Sequence, residues 1–280
     1  MLILELSCLA IILLYFVARA WSEPDRPRLF RRIGLLVLAS WIAENTVIHA
    51  YGFYQYSPRW SLFLDRVPVM IVIIWPIVIT SAWDLMRAFA GGAGGARVVV
   101  AAAAMVFADA YVMEPIAVES GLWSWNEPGL FRVPPIGVLG WSFFTGAALA
   151  VFDWVDRRRR SVQYELAVLV LPVVFTHLAL LAAWWAVLRW VNHTIPAGAG
   201  VAFAWALTAT LAVVAARHPA ARRVVRRDLL VRVPASAFFF VLLGVHGRDR
   251  PALIAYAVAF SLPYLVLTWR AKGEGVQISR

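Results

Sequence analysis

Cysteine is almost missing from this 280-residue chain: Cys8 stands alone. Neither an intrachain disulfide framework nor a thiolate metal site is therefore available. Charge is scarce too, with 15% charged residues against 62% hydrophobic ones and a mean hydropathy of +0.75. A soluble domain cannot hold that much apolar surface away from water. A helical membrane bundle requires it, at about 20 apolar residues per span. No polar block is long enough to form a separate soluble domain, so a single integral membrane domain over residues 1–280 is expected.

Other absences narrow the chemistry. The histidines His49, His177, His193, His218 and His246 include no i, i+3 or i, i+4 pair that would put two imidazoles on one helix face for a metal. The histidine boxes of membrane di-iron desaturases and hydroxylases are missing, as is the aspartate-rich DDxxD motif that binds magnesium diphosphate. Gly91-Gly92-Ala93-Gly94-Gly95 has Arg97 where a GxGxxG loop has its third glycine. It follows no strand and reads as a hairpin between two helices. No metal and no cofactor is expected. The N-terminus has no basic n-region or cleavage site, so residues 2–19 read as a retained span. The tail Val276-Gln277-Ile278-Ser279-Arg280 carries no lipidation box.

Apolar runs lie near 2–19, 30–50, 67–87, 97–115, 134–152, 163–187, 198–216, 233–246 and 252–269. They predict an all-α polytopic transmembrane bundle of about eight to nine helices. The eighth run is short and opens on Val233-Pro234, which suits a half-span or a re-entrant piece and leaves the C-terminal side open. The net charge of +10 is gathered in every second loop. Its clusters are Arg26/Arg28/Arg31/Arg32, Arg87/Arg97, Arg157–Arg160 and Arg217/Arg222/Arg223/Arg226/Arg227/Arg232. By the positive-inside rule these loops are cytoplasmic and the N-terminus faces out, as expected of a multi-pass protein of the cell membrane. The same arginines suit anionic lipid head groups, and short basic loops do not suit nucleic acid.

A repeat stands out. Residues 44–75 read Glu44-Asn45, Gly52-Phe53-Tyr54-Gln55-Tyr56, Val67-Pro68 and Trp75. Residues 109–141 read Asp109, Glu114-Pro115, Gly121-Leu122-Trp123-Ser124-Trp125-Asn126, Val133-Pro134 and Trp141. Each copy, in units of about 40–76 and 105–142, has a helix carrying an acid, a Gly-x-aromatic-x-aromatic turn and a Val-Pro opening the next helix. Both turns fall on the outer side. The copies are then parallel helix-turn-helix repeats that can set acids across one cavity.

An ionisable side chain inside a span costs a few kcal/mol and needs a reason. Glu44, Asp109 and Glu114 are the candidates for proton transfer, because burial disfavours the charged form of a carboxyl and keeps a proton available. The bland alternative is an acid that merely ties helices together. Asp84, Asp153 and Asp156 sit beside arginines at cytoplasmic ends and read as interfacial ion pairs. Asp65 reads as an anion at the N-terminus of the third span or as an acid over the cavity mouth. His49, which shares a face with Asn45, and His177 both read as hydrogen-bonded core histidines. Tyr54, Tyr56, Trp123 and Trp125 suit either the aromatic belt or a cage whose ring faces stabilise a cation.

At Gly52-x-Tyr54-x-Tyr56, Asp109-x4-Glu114-Pro115, Gly121-x-Trp123-x-Trp125, Val133-Pro134 and Gly140-Trp141 the chain resembles the CruF-type carotenoid biosynthesis proteins, membrane carotenoid 1,2-hydratases. The resemblance spans roughly residues 40–145. Two positions depart from the family pattern: Glu114 replaces an aspartate before the proline, and Gly137 stands where an asparagine precedes the Gly-Trp. The resemblance implies acid-catalysed hydration of the terminal double bond of an acyclic carotenoid, with no redox cofactor. Asp109 or Glu114 would protonate the alkene and Glu44 would position or deprotonate water. Tyr54, Tyr56, Trp123, Trp125, Asn126 and Trp141 would contact the substrate. It also implies a substrate held in the bilayer, with other carotenoid enzymes as candidate partners. A lycopene-type or other membrane terpenoid cyclase is the first alternative. A transporter or a lipid- or pigment-binding protein is the second.

Overall fold

The computed structural model describes residues 1–219, 221, 224 and 226–271, with backbone only at 226 and 227. Arg222 and Arg223 of the last basic cluster, and the tail from residue 272 on, lie outside the described residues. Among the described residues, nine helices are long and apolar enough to cross a membrane. They are α1 (Leu2–Ser22), α2 (Arg26–Tyr51), α3 (Val69–Phe89), α4 (Ala96–Glu119), α5 (Pro135–Arg157), α6 (Val162–Val191), α7 (Ala197–Arg217), α8 (Asp228–His246) and α9 (Pro251–Arg270). The protein is an all-α, multi-pass integral membrane protein. The run that looked too short from Val233 is extended at its start by Asp228–Arg232, giving a 19-residue segment of spanning length rather than a half-span.

Apolar composition makes these segments helical, because lipid offers no partner for an open backbone group. The exceptions are answered locally. Pro76 lies inside α3 and Pro115 inside α4, and neither can donate to the carbonyl four residues back. The Ser40 hydroxyl donates to the Val72 carbonyl at 3.3 Å, and the Tyr256 hydroxyl donates to the Tyr111 carbonyl at 3.0 Å. Each proline's orphaned acceptor thus receives a hydroxyl from another helix.

The main apolar core runs through α2, α3, α4 and α5 and includes Leu36, Ile79, Val106 and Phe144. Helix α6 packs on α5 and α2, α1 lies on α3, and α7 packs against α9. Among the described residues, four short strands stand at one end of the bundle: β1 (Tyr54–Tyr56), β2 (Phe63–Leu64), β3 (Val67–Pro68) and β4 (Trp123–Trp125). Strand β1 pairs antiparallel with β4, and β2 pairs with β3.

The charged residues at the opposite end form ion pairs between helices. Arg32 and Arg28 reach Asp156, and Arg31 and Arg32 reach Glu165, while Arg157 reaches Asp153 one turn back within α5. Asp84 pairs with Arg19 of α1 at 2.8 Å, not with its helix neighbour Arg87. The α4 start is fixed by Asp153, whose carboxylate accepts the Gly95 N–H at 2.7 Å. That ties the glycine-rich hairpin to α5.

Candidate active site

Gly52 ends α2 in the left-handed region at φ 61°, and Gly121 follows α4 at φ 68°. Only glycine adopts that conformation without strain, so both helices turn sharply into their strands. Strand periodicity then explains the aromatic-x-aromatic spacing: alternate residues share a face. Tyr54, Tyr56, Trp123 and Trp125 point into the bundle, while Gln55 and Ser124 are exposed. Tyr54 lies opposite Trp125, and Tyr56 opposite Trp123. Their ring centroids are 4.7 and 5.9 Å apart.

That register maps onto itself when the two copies are exchanged. The exchange matches Tyr54 with Trp123, Tyr56 with Trp125, and Trp75 with Trp141. The carboxyl that matches Glu44 is Glu114. Glu44 accepts from the Tyr54 hydroxyl, from the Tyr56 hydroxyl at 3.0 Å and from the Trp75 indole at 3.0 Å. Glu114 accepts from the indoles of Trp123, Trp125 and Trp141 at 2.7, 3.0 and 2.8 Å. Both glutamates are buried, and each has three donors drawn from its own copy. Burying a carboxyl costs several kcal/mol unless hydrogen bonds replace its water, and three short bonds each supply that replacement.

Glu44 and Glu114 line one cavity of about 60 Å³, space for a few water molecules. Apart from Thr176, whose hydroxyl donates to the Pro172 carbonyl, the rest of its wall is aromatic or aliphatic, including Val47, Phe53, Ile71, Ile136, Phe144 and Leu180. Glu44 lies seven residues before the end of α2, about 10 Å below the β1–β4 pair at 1.5 Å per residue. Gly137 makes room for Trp125: a Cβ there would lie 2.3 Å from the indole ring. The position that lacks the family pattern's asparagine is thus filled by a tryptophan ring from β4. Burial pushes both phenols, Tyr54 and Tyr56, well above their ordinary range, so both stay protonated hydroxyls.

Seven residues singled out in the sequence meet at this cavity: Glu44, Glu114, Tyr54, Tyr56, Trp123, Trp125 and Trp141. Asp109 does not. It lies on another face of α4, about one and a half turns before Glu114. There it is paired with Arg232 and accepts from the Tyr264 hydroxyl at 2.8 Å. Arg232 also donates to the Ser81 hydroxyl at 2.7 Å. Asp109 therefore belongs to a part-buried clamp joining α3, α4, α8 and α9. Asn126 does not line the cavity either; its side chain donates to the Gly52 carbonyl at 2.6 Å and braces the turn after α2.

Asp65 is not a helix N-terminal anion. It sits in the β2–β3 turn at φ 54°, where it accepts from Asn45 at 2.8 Å and lies 2.7 Å from His49 Nε2. Those two contacts hold its carboxyl below the usual carboxylate range. His177 is hydrogen-bonded as expected, to Thr46 and Tyr51 at 2.8 Å each, whereas His49 is hydrogen-bonded to Asp65 but exposed rather than in the core. Trp75 is the site residue that sequence reasoning left out, although the repeat already matched it with Trp141.

A family model described as carotenoid biosynthesis protein matches residues 2–207. All the residues lining the cavity fall within that stretch. No curated protein matches the chain, and no solved structure does.

Proposed function

The chain belongs to the carotenoid biosynthesis protein family, and from that premise we propose that it hydrates the terminal C1–C2 double bond of an acyclic carotenoid. The observation that carries this reading is the pairing of two buried glutamates in one aromatic-walled cavity, each held by three N–H or O–H donors.

The chemistry follows from the alkene. A proton added to the less substituted carbon leaves the positive charge on a tertiary carbon, which water then captures. The reaction is redox neutral, so a proton, a place for the cation and one water molecule suffice. A carboxyl within the cavity supplies the proton as a general acid. Indole and phenol ring faces attract the cation, and a carboxylate close by offsets its charge. Fixed donors around each carboxyl hold it in place throughout, so no reorganisation is needed as charge develops.

A long polyene dissolves only in the hydrocarbon layer, so the substrate comes from the bilayer of the cell membrane. Water comes from the end capped by β1 and β4, the outer face by the distribution of arginine. The arginine-rich loops at the other end meet anionic lipid, and other carotenoid enzymes supply and consume the pigment.

The test is a series of single variants in cells that accumulate an acyclic carotene. Glu44→Gln and Glu114→Gln each abolish the hydrated product. Undiminished hydration by both variants contradicts the reading.

A further inference from the structure

Glu44 and Glu114 occupy matching positions, but their donors differ in kind. An indole N–H only donates, whereas a tyrosine hydroxyl both donates and accepts. All three partners of Glu114 are indoles. Two of the three partners of Glu44 are hydroxyls, and both reach the same oxygen, Oε2.

This difference decides where a proton can sit. Trp123 and Trp125 together occupy Oε2 of Glu114, and Trp141 occupies Oε1. A proton on Oε2 would displace a buried N–H that has no other acceptor. A proton on Oε1 would weaken three indole bonds, none of which can reverse, whereas at Glu44 only the Trp75 bond is of that kind. At Glu44 a proton on Oε2 costs no bond, because a tyrosine hydroxyl turns round and accepts it. Two carboxyls facing one low-dielectric cavity repel when both are charged, so the pair retains a proton between them.

We infer that the retained proton belongs to Glu44, with Tyr54 and Tyr56 as its relay, while Glu114 stays a carboxylate fixed by its three indoles. The roles in catalysis rest on the hydration reading; the location of the proton does not. In the reaction the Glu44 O–H bond breaks and a C–H bond forms with the alkene π electrons. The tertiary cation then lies between two carboxylates. Water forms the C–O bond, and its surplus proton returns to Glu44 directly or through a tyrosine hydroxyl. The cavity carries one net negative charge before and after the proton transfer. Glu114 never changes state.

Infrared spectroscopy of the purified full chain in lipid, compared in H2O and D2O, reads a protonated carboxyl through its C=O stretch. The band is present in wild type, lost in Glu44→Gln and kept in Glu114→Gln. In the Tyr54→Phe/Tyr56→Phe double variant it moves to higher frequency, having lost its hydroxyl partners. Thermal stability gives an independent reading. Glutamine resembles a protonated carboxyl, so Glu44→Gln melts close to wild type. Glu114→Gln sets an amide NH2 among three N–H donors and melts lower. Loss of the band in Glu114→Gln, its absence from wild type, or no shift on removing both hydroxyls overturns the inference. None of these readouts depends on a carotenoid product, so a failed hydratase reading and a misplaced proton give different results.

Discussion

Trp75 and Trp141 stack with ring centroids 4.2 Å apart and 22° between their planes, and each gives its indole N–H to a different glutamate. The stack couples the two halves of the cavity: the indole bound to one glutamate rests on the indole bound to the other. Each tryptophan opens onto the cavity from the helix after its Val-Pro, so the repeat places both at equivalent depth.

Replacing either by phenylalanine keeps a ring and removes one donor. A hydrogen bond to a charged group contributes about 1.5–3 kcal/mol, which corresponds to a rate loss of about 10- to 100-fold if the bond acts in the transition state. Trp141→Phe should fall at the upper end, since Glu114 has only N–H donors. Product formation per folded protein in membranes checks it. Activity equal to wild type in both variants would exclude a role for the indole bonds.

Asp109→Asn separates the clamp from the cavity. Breaking a fully buried ion pair by removing one partner costs about 3–5 kcal/mol; this part-buried pair falls below that, and its loss strands Arg232 among α3, α4, α8 and α9. The expected outcome is a lower melting temperature with turnover per folded molecule retained. A stable variant with no turnover would return Asp109 to the chemistry.

The span count, the basic loops and seven of the cavity residues were legible in the sequence, because hydropathy and a short ordered repeat are local signals. The wrong placement of Asp109 came from helix phase. Five residues separate it from Glu114, which turns it about 140° around α4 at 3.6 residues per turn. Both acids matched the repeat loosely when one gap was allowed. Only the donor sets of Glu44 and Glu114 reveal which acid is the counterpart. The strands were also hidden: three residues are too few for a pattern, and β1 and β4 pair across 69 positions of sequence. Arg232 was read as a loop charge because nothing in its neighbourhood announces an aspartate partner on another helix.

Gly137→Ala tests how tightly Trp125 is seated. The added methyl would lie 2.3 Å from the ring, so the indole must move and its bond to Glu114 must lengthen. Overpacking of this sort costs about 1–3 kcal/mol, and hydration should fall with stability. Gly198→Ala, where nothing lies within 4 Å, is the control and should leave both unchanged. Equal behaviour of the two variants would contradict the packing at Trp125.

The β2–β3 turn should be acid-sensitive through Asp65. Its folded carboxyl titrates below the ordinary range because of His49 and Asn45. The stabilisation is therefore present above the ordinary carboxylate range and is lost as pH falls through the lowered value. Wild type should melt slightly above Asp65→Asn at neutral pH, and the gap should close in acid. A gap that widens on acidification would reverse the sign.

The most direct measurement is the mass of the pigment made when the intact chain is produced in cells that accumulate an acyclic carotene. Hydration predicts a product heavier by one water per modified end, absent in Glu44→Gln and Glu114→Gln. A product of unchanged mass but altered absorption, or substrate left untouched by the folded protein, would contradict it.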